Sequence, residues 1–111
     1  MSRKAQGLRA WLWQRVSAVY LVIYVVVLGL YALGHPPADY IEWRGWMSNA
    51  AVSIATGLFI GALLIHAWVG SRDIVMDYVP TFAIRVALLG VIGVMLTGSG
   101  LWALRVLYAA Y

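Results

Sequence analysis

The chain has 111 residues, of which 64% are hydrophobic and 11% charged, with a net charge of +4. Soluble domains carry about 25% charged residues, and a chain this short cannot bury so much apolar surface in one core. Lipid must therefore serve as its solvent. In a membrane protein a basic excess reports orientation first, and no nucleic-acid role is read from it. The absence of cysteine excludes disulfides, cysteine-ligated iron–sulfur clusters and covalent c-type haem attachment. Any redox group must be held by other ligands or by a partner chain.

Three uncharged runs predict helices over residues 16–33, 50–70 and 86–104. Each is about 18–21 residues long, enough to cross a hydrocarbon core of about 30 Å. A backbone in lipid must satisfy its own hydrogen bonds, and these lengths fit helices rather than barrel strands. The expected fold is an all-α integral membrane protein, with residues 1–111 forming a single domain. Trp11, Trp13, Trp43, Trp46, Trp102, Tyr108 and Tyr111 stand near the span ends, where amphipathic rings favour the headgroup zone.

Orientation follows from the basic residues. With three spans, Arg3, Lys4, Arg9, Arg15, Arg72 and Arg85 share one side, and Arg44 and Arg105 lie on the other with Asp39 and Glu42. Six basic residues against two put the N-terminus in the cytoplasm and the C-terminus outside. A basic start followed by an apolar stretch and the small residues Ala32 and Gly34 also fits a signal peptide. The apolar run exceeds the usual length of about 7–15 residues, however, and two further spans follow.

The second span holds the most informative residue. His66 is the only ionisable side chain in the run of about 27 residues between Arg44 and Arg72. An ionisable group within a span is costly and marks a functional site by default, and a neutral imidazole is a common metal ligand. Ser53, Gly57 and Gly61 recur every fourth residue, a small-residue ridge for close helix packing. At 100° per residue His66 lies about 140° round from Gly61. It belongs instead to the row Ala62, His66, Gly70, whose small residues leave room for a flat macrocycle. This pattern alone leaves two readings open, a haem ligand or a histidine bonding a neighbouring helix.

The segment HAWVGSRDIVMDYVP, residues 66–80, resembles the small hydrophobic membrane-anchor subunit of bacterial succinate dehydrogenase (succinate:quinone oxidoreductase, complex II), a cytochrome b subunit. In that family a second-helix histidine is followed by a glycine four residues on, here Gly70, and by an Asp-Tyr pair, here Asp77 and Tyr78. The family's first helix opens with an arginine and small residues, matching Arg15, Ser17 and Ala18, and an arginine begins its third helix, matching Arg85. One departure is visible. Family members carry the proline two residues after the tyrosine–valine pair, whereas Pro80 follows Val79 directly.

The resemblance implies a multi-pass subunit of the bacterial inner membrane, with its C-terminus in the periplasm. It would pair with a second three-helix cytochrome b anchor subunit and dock an iron–sulfur subunit and a flavoprotein subunit. FAD and the iron–sulfur clusters would reside only in those partners, and the chain would not be an enzyme on its own. It also implies that His66 is one axial ligand of haem b, and that Tyr78 and Asp77 bind ubiquinone. Arg15 would face the haem propionates or the quinone pocket. His66 is about 9 Å along a helix axis from Arg72, inside the bilayer but nearer the cytoplasmic side. A tyrosine hydroxyl can donate to a carbonyl gaining charge, and Asp77 can orient that tyrosine or relay a proton. Spacing alone makes Asp73 as eligible as Asp77; only the resemblance favours Asp77.

Plainer readings stand beside these. Asp77, before Pro80, can cap the third helix. Arg72, Asp73 and Arg85 read as a solvated loop or a docking surface. Tyr20, Tyr24 and Tyr31 share a face suited to packing, His35 reads as structural, and Gly90, Gly93, Gly98 and Gly100 as close-contact positions. Met47, Met76 and Met95 are not read as haem ligands. The alternative functions are an anchor of a related fumarate reductase, an anchor that has lost its haem, or a small multidrug or ion transporter. The last usually needs four spans and an acidic residue within a helix, and this chain has neither.

Overall fold

The computed structural model describes residues 3–110, with side chains from residue 7 onward. The side chains of Arg3 and Lys4, and Tyr111, lie outside the described residues. Four helices follow in order: α1 (Arg3–Gly34), α2 (Tyr40–Ser48), α3 (Ala50–Tyr78) and α4 (Phe82–Ala110). Three segments are long and apolar enough to cross a membrane: Gly7–Gly34, Ala50–Tyr78 and Phe82–Ala110. The all-helical, three-span architecture agrees with the sequence, but the helices are longer than the uncharged runs. Arg72 and Asp73, expected in a loop, lie within α3. Charge does not stop a helix. The chain turns at Val79, Pro80 and Thr81 instead, because proline cannot donate into a continuing helix and holds the preceding Val79 extended (φ −104°, ψ 109°).

The loop between the first two spans contains α2, which the sequence reading left as loop. Asp39 caps it, its Oδ1 accepting from the Glu42 N–H at 2.9 Å. Glu42 reaches back to accept from the Ala38 N–H at 2.7 Å, a reciprocal arrangement of the capping-box type. Asn49 then ends α2 and starts α3, its side chain accepting from Ala51 and Val52 N–H groups. His35 is structural, as read: it stacks on Tyr31 at 4.9 Å, and Tyr31 also meets Trp46 of α2.

α3 stands between its neighbours. Among the described residues α1 and α4 each pack on α3 and not on one another. Lipid tails are as apolar as the side chains, so packing and interhelical hydrogen bonds hold the spans together. On the α1 seam, Tyr20 Oη donates to the Ala55 carbonyl at 2.6 Å and Tyr24 pairs with Thr56 Oγ1 at 2.8 Å. Each such bond contributes about 0.6 kcal/mol on average. Tyr24 also stacks on Phe59 at 4.2 Å. On the α4 seam, Gly93 and Gly100 admit Trp68 and Leu64. A methyl group on Gly100 would sit 2.6 Å from Leu64 Cδ1 and drive that side chain out. Gly90 and Gly98 have open space instead, so only half of that glycine set serves α3–α4 contact.

Most large apolar side chains remain exposed, Leu33 and Val94 among them, while Ser17, Val75, Gly100 and Ala110 are buried. A protein in water could not leave this area uncovered; lipid and partner helices are its natural cover.

Candidate functional site at the α1–α3 seam

His66 lies half-buried on the α3 face that meets α1, opposite the row that meets α4. Its Nδ1 is 3.3 Å from Ser17 Oγ. Ser17 is 4% exposed, and its hydroxyl also bonds the Gln14 carbonyl of its own helix at 3.1 Å. Sequence reasoning found the histidine but not this partner.

The two small residues flanking His66 have different surroundings. Gly70 is covered by Gln14, whose Nε2 is 3.3 Å from where a Cβ would lie. The expected room for a macrocycle is therefore taken on that side. Ala62 instead lines an apolar groove of about 350 Å³, together with Trp13, Val16, Ser17, Gly61 and Ile65. Gly61 itself has no neighbour within 4 Å and leaves the groove open. Gln14 Oε1 is buried without a hydrogen-bond partner among the described residues.

The other candidate residues stand apart from His66. Arg15 is exposed and stacks over Trp11, its guanidinium carbon 5.6 Å from the ring centre. Two residues from Ser17, it points about 200° away around α1. Asp77 and Tyr78 occupy the last turn of α3, about 18 Å from His66 along the axis at 1.5 Å per residue. Both are exposed, Tyr78 at 79%. Their side chains diverge by about 100°, and among the described residues they share no hydrogen bond. Asp77 does not cap α4, which begins at Phe82.

Arg85 is the residue that organises this end. Its guanidinium donates through Nε to the Val79 carbonyl and through Nη2 to the Met76 carbonyl at 3.3 Å. These are carbonyls at the end of α3, where helix bonding runs out and a positive charge meets the negative end of the helix dipole. Arg85 thus clamps the turn rather than lying in solvent. Arg72 and Asp73 form an exposed pair at 3.7 Å, a contact of little energetic weight.

Among the described residues no cluster of three or more His, Cys, Asp or Glu side chains is placed to hold a metal ion. The sequence matches the family described as succinate dehydrogenase/fumarate reductase transmembrane subunit over residues 1–105. The chain belongs to that family. It is also 35% identical, over 95% of its length and 91% of the relative's, to the succinate dehydrogenase hydrophobic membrane anchor subunit of Coxiella burnetii (strain RSA 493 / Nine Mile phase I). Membership of a family of transmembrane oxidoreductase subunits sets aside the small-transporter alternative and agrees with the three membrane-length helices.

Proposed function

We propose that this chain is the small anchor subunit of a succinate:quinone oxidoreductase, supplying one axial ligand to haem b and part of a ubiquinone site. The observation that carries this reading is His66, the one ionisable side chain between Arg44 and Arg72, set beside an apolar groove. The surroundings fit a haem. The imidazole offers one nitrogen beyond the one facing Ser17, the groove beside Ala62 is apolar, and α3 has a face that meets neither α1 nor α4. A bound haem b would supply a one-electron relay between the iron–sulfur subunit and the quinone. Arg15, exposed on the outer side of α1, offers the guanidinium that carboxylates or a quinone pocket on a partner helix would meet.

Tyr78 is the proposed hydrogen-bond donor to a ubiquinone carbonyl. Its exposure at the helix end lets the site draw both protons of quinone reduction from water. Asp77, on the same turn, serves as the proton relay rather than as the residue that orients Tyr78. Arg85 holds the turn on which both stand. A second three-helix cytochrome b subunit would supply the other haem ligand, and the flavoprotein and iron–sulfur subunits would dock on the cytoplasmic side. Purification through a tag on this chain is the test. The complex should contain a flavoprotein, an iron–sulfur protein and a low-spin haem, and should reduce ubiquinone with succinate. A complex without succinate-driven quinone reduction overturns the reading.

The proposed orientation places Arg9, Arg15, Arg72 and Arg85 in the cytoplasm and the C-terminus in the periplasm of a bacterial inner membrane. A reporter enzyme active only outside the cytoplasm should be active when fused after Tyr111. The same reporter fused within the 72–81 segment should be silent, and activity there overturns the orientation.

A further inference from the structure

We infer that Ser17 is a positioning residue that fixes the tautomer and ring orientation of His66, leaving Nε2 with its lone pair toward the ligand site. This rests on the reading of His66 as a haem ligand. Proton accounting around Ser17 carries it. The serine hydroxyl has one hydrogen and touches two groups, the Gln14 carbonyl at 3.1 Å and His66 Nδ1 at 3.3 Å. A carbonyl can only accept, and a neutral imidazole has one donor and one acceptor nitrogen. If the hydroxyl donates to Nδ1, the Gln14 contact has no proton, and Nε2 carries hydrogen and cannot bind a metal. If it donates to Gln14, its oxygen accepts from Nδ1–H, both contacts are satisfied, and Nε2 is free.

The location supports the second arrangement. Ser17 is 4% exposed, so water cannot readily replace either partner. A buried polar group left unpaired is expensive, which favours the arrangement satisfying both contacts. The hydroxyl of Ser17 reaches the carbonyl three residues back, a local bond that serine readily forms in helices. That bond aims the remaining lone pairs across the seam. Metal-binding histidines depend on such a partner for the nitrogen that does not bind metal. Asp73 and Asp77 are the only acidic residues of α3, and at about 10 and 16 Å from His66 along the axis they are too far to take this role. A serine is therefore the orienting group where a carboxylate often stands. As a neutral acceptor it leaves the imidazole less imidazolate-like than a carboxylate would.

The test compares Ser17→Ala, Ser17→Thr and His66→Ala in the purified full complex. Ser17→Ala should keep a haem spectrum but weaken haem retention by roughly tenfold to a hundredfold. It should also raise the haem midpoint potential, because an acceptor on Nδ1–H stabilises the oxidised iron. Ser17→Thr keeps a hydroxyl and should restore both values. If the alanine complex does not assemble, Ser17→Cys gives the same reading, since it keeps the volume but its sulfur is a weak acceptor. An unchanged potential and unchanged retention in the hydroxyl-free variant overturn the inference, provided that His66→Ala alters the haem. If His66→Ala also leaves the haem unaltered, the ligand assignment fails and the inference with it.

Discussion

His66→Ala is expected to abolish or transform the low-spin haem spectrum and to lower haem retention more than about a hundredfold, beyond the cost of losing only a supporting partner. The helix itself should survive, because alanine is the best helix former and the residue lies on a seam also held by the Tyr20–Ala55 and Tyr24–Thr56 bonds. The void left beside Ser17 offers a direct control. Added imidazole should bind there and recover part of the spectrum if His66 is a ligand, and should do nothing if His66 only packs. The spectrum is the deciding measurement rather than turnover, because turnover would survive if electrons passed from an iron–sulfur cluster straight to the quinone. A purified variant with an unaltered spectrum removes His66 from the iron.

Tyr78→Phe should lower succinate-driven quinone reduction by roughly tenfold to a hundredfold, as expected from losing a hydrogen bond to a group gaining charge, about 1.5–3 kcal/mol. The side chain is 79% exposed, and its hydroxyl has no partner among the described residues. Removing it therefore costs the isolated chain nothing. Assembly, the haem spectrum and succinate oxidation by a soluble dye should stay at wild-type values. The separation of about 18 Å along α3 makes the Tyr78 and His66 effects separable in the same complex. Normal quinone reduction by the phenylalanine variant would reduce Tyr78 to an interfacial aromatic.

The three spans were legible because long charge-free runs have one physical solution in a bilayer. Their ends were not. Residues 71–78 continue α3 because Arg72 and Asp73 can reach polar surroundings from a helix that outruns the hydrocarbon core, and only Pro80 prevents the helix from continuing. The helix α2 had a readable signal in Asp39 and Glu42, three residues apart, but the prolines before it dominated the reading. At the site, His66 stood out by its isolation. Its pairing with Ser17 was not read, although Ser17 precedes Tyr20 and Tyr24 by three and seven residues and so shares their face; a face marked on one helix does not say which residue of the next lies opposite. The packing reading of the tyrosines held for all three: Tyr20 and Tyr24 pack on α3, and Tyr31 packs on His35 and Trp46. The expectation of a solvated Arg85 failed because two carbonyls at the end of α3 were in need of a donor.

The placement of α3 between two helices that do not touch each other has a consequence for how energy is shared within the membrane. A change on the α1 seam can reach the α4 seam only through the body of α3 or by way of the short helix α2. Two seams without shared partners behave as nearly independent accounts of stability, and perturbations placed on both should simply add. The protein can thus alter the seam around His66 without loosening the one that Gly93 and Gly100 hold closed.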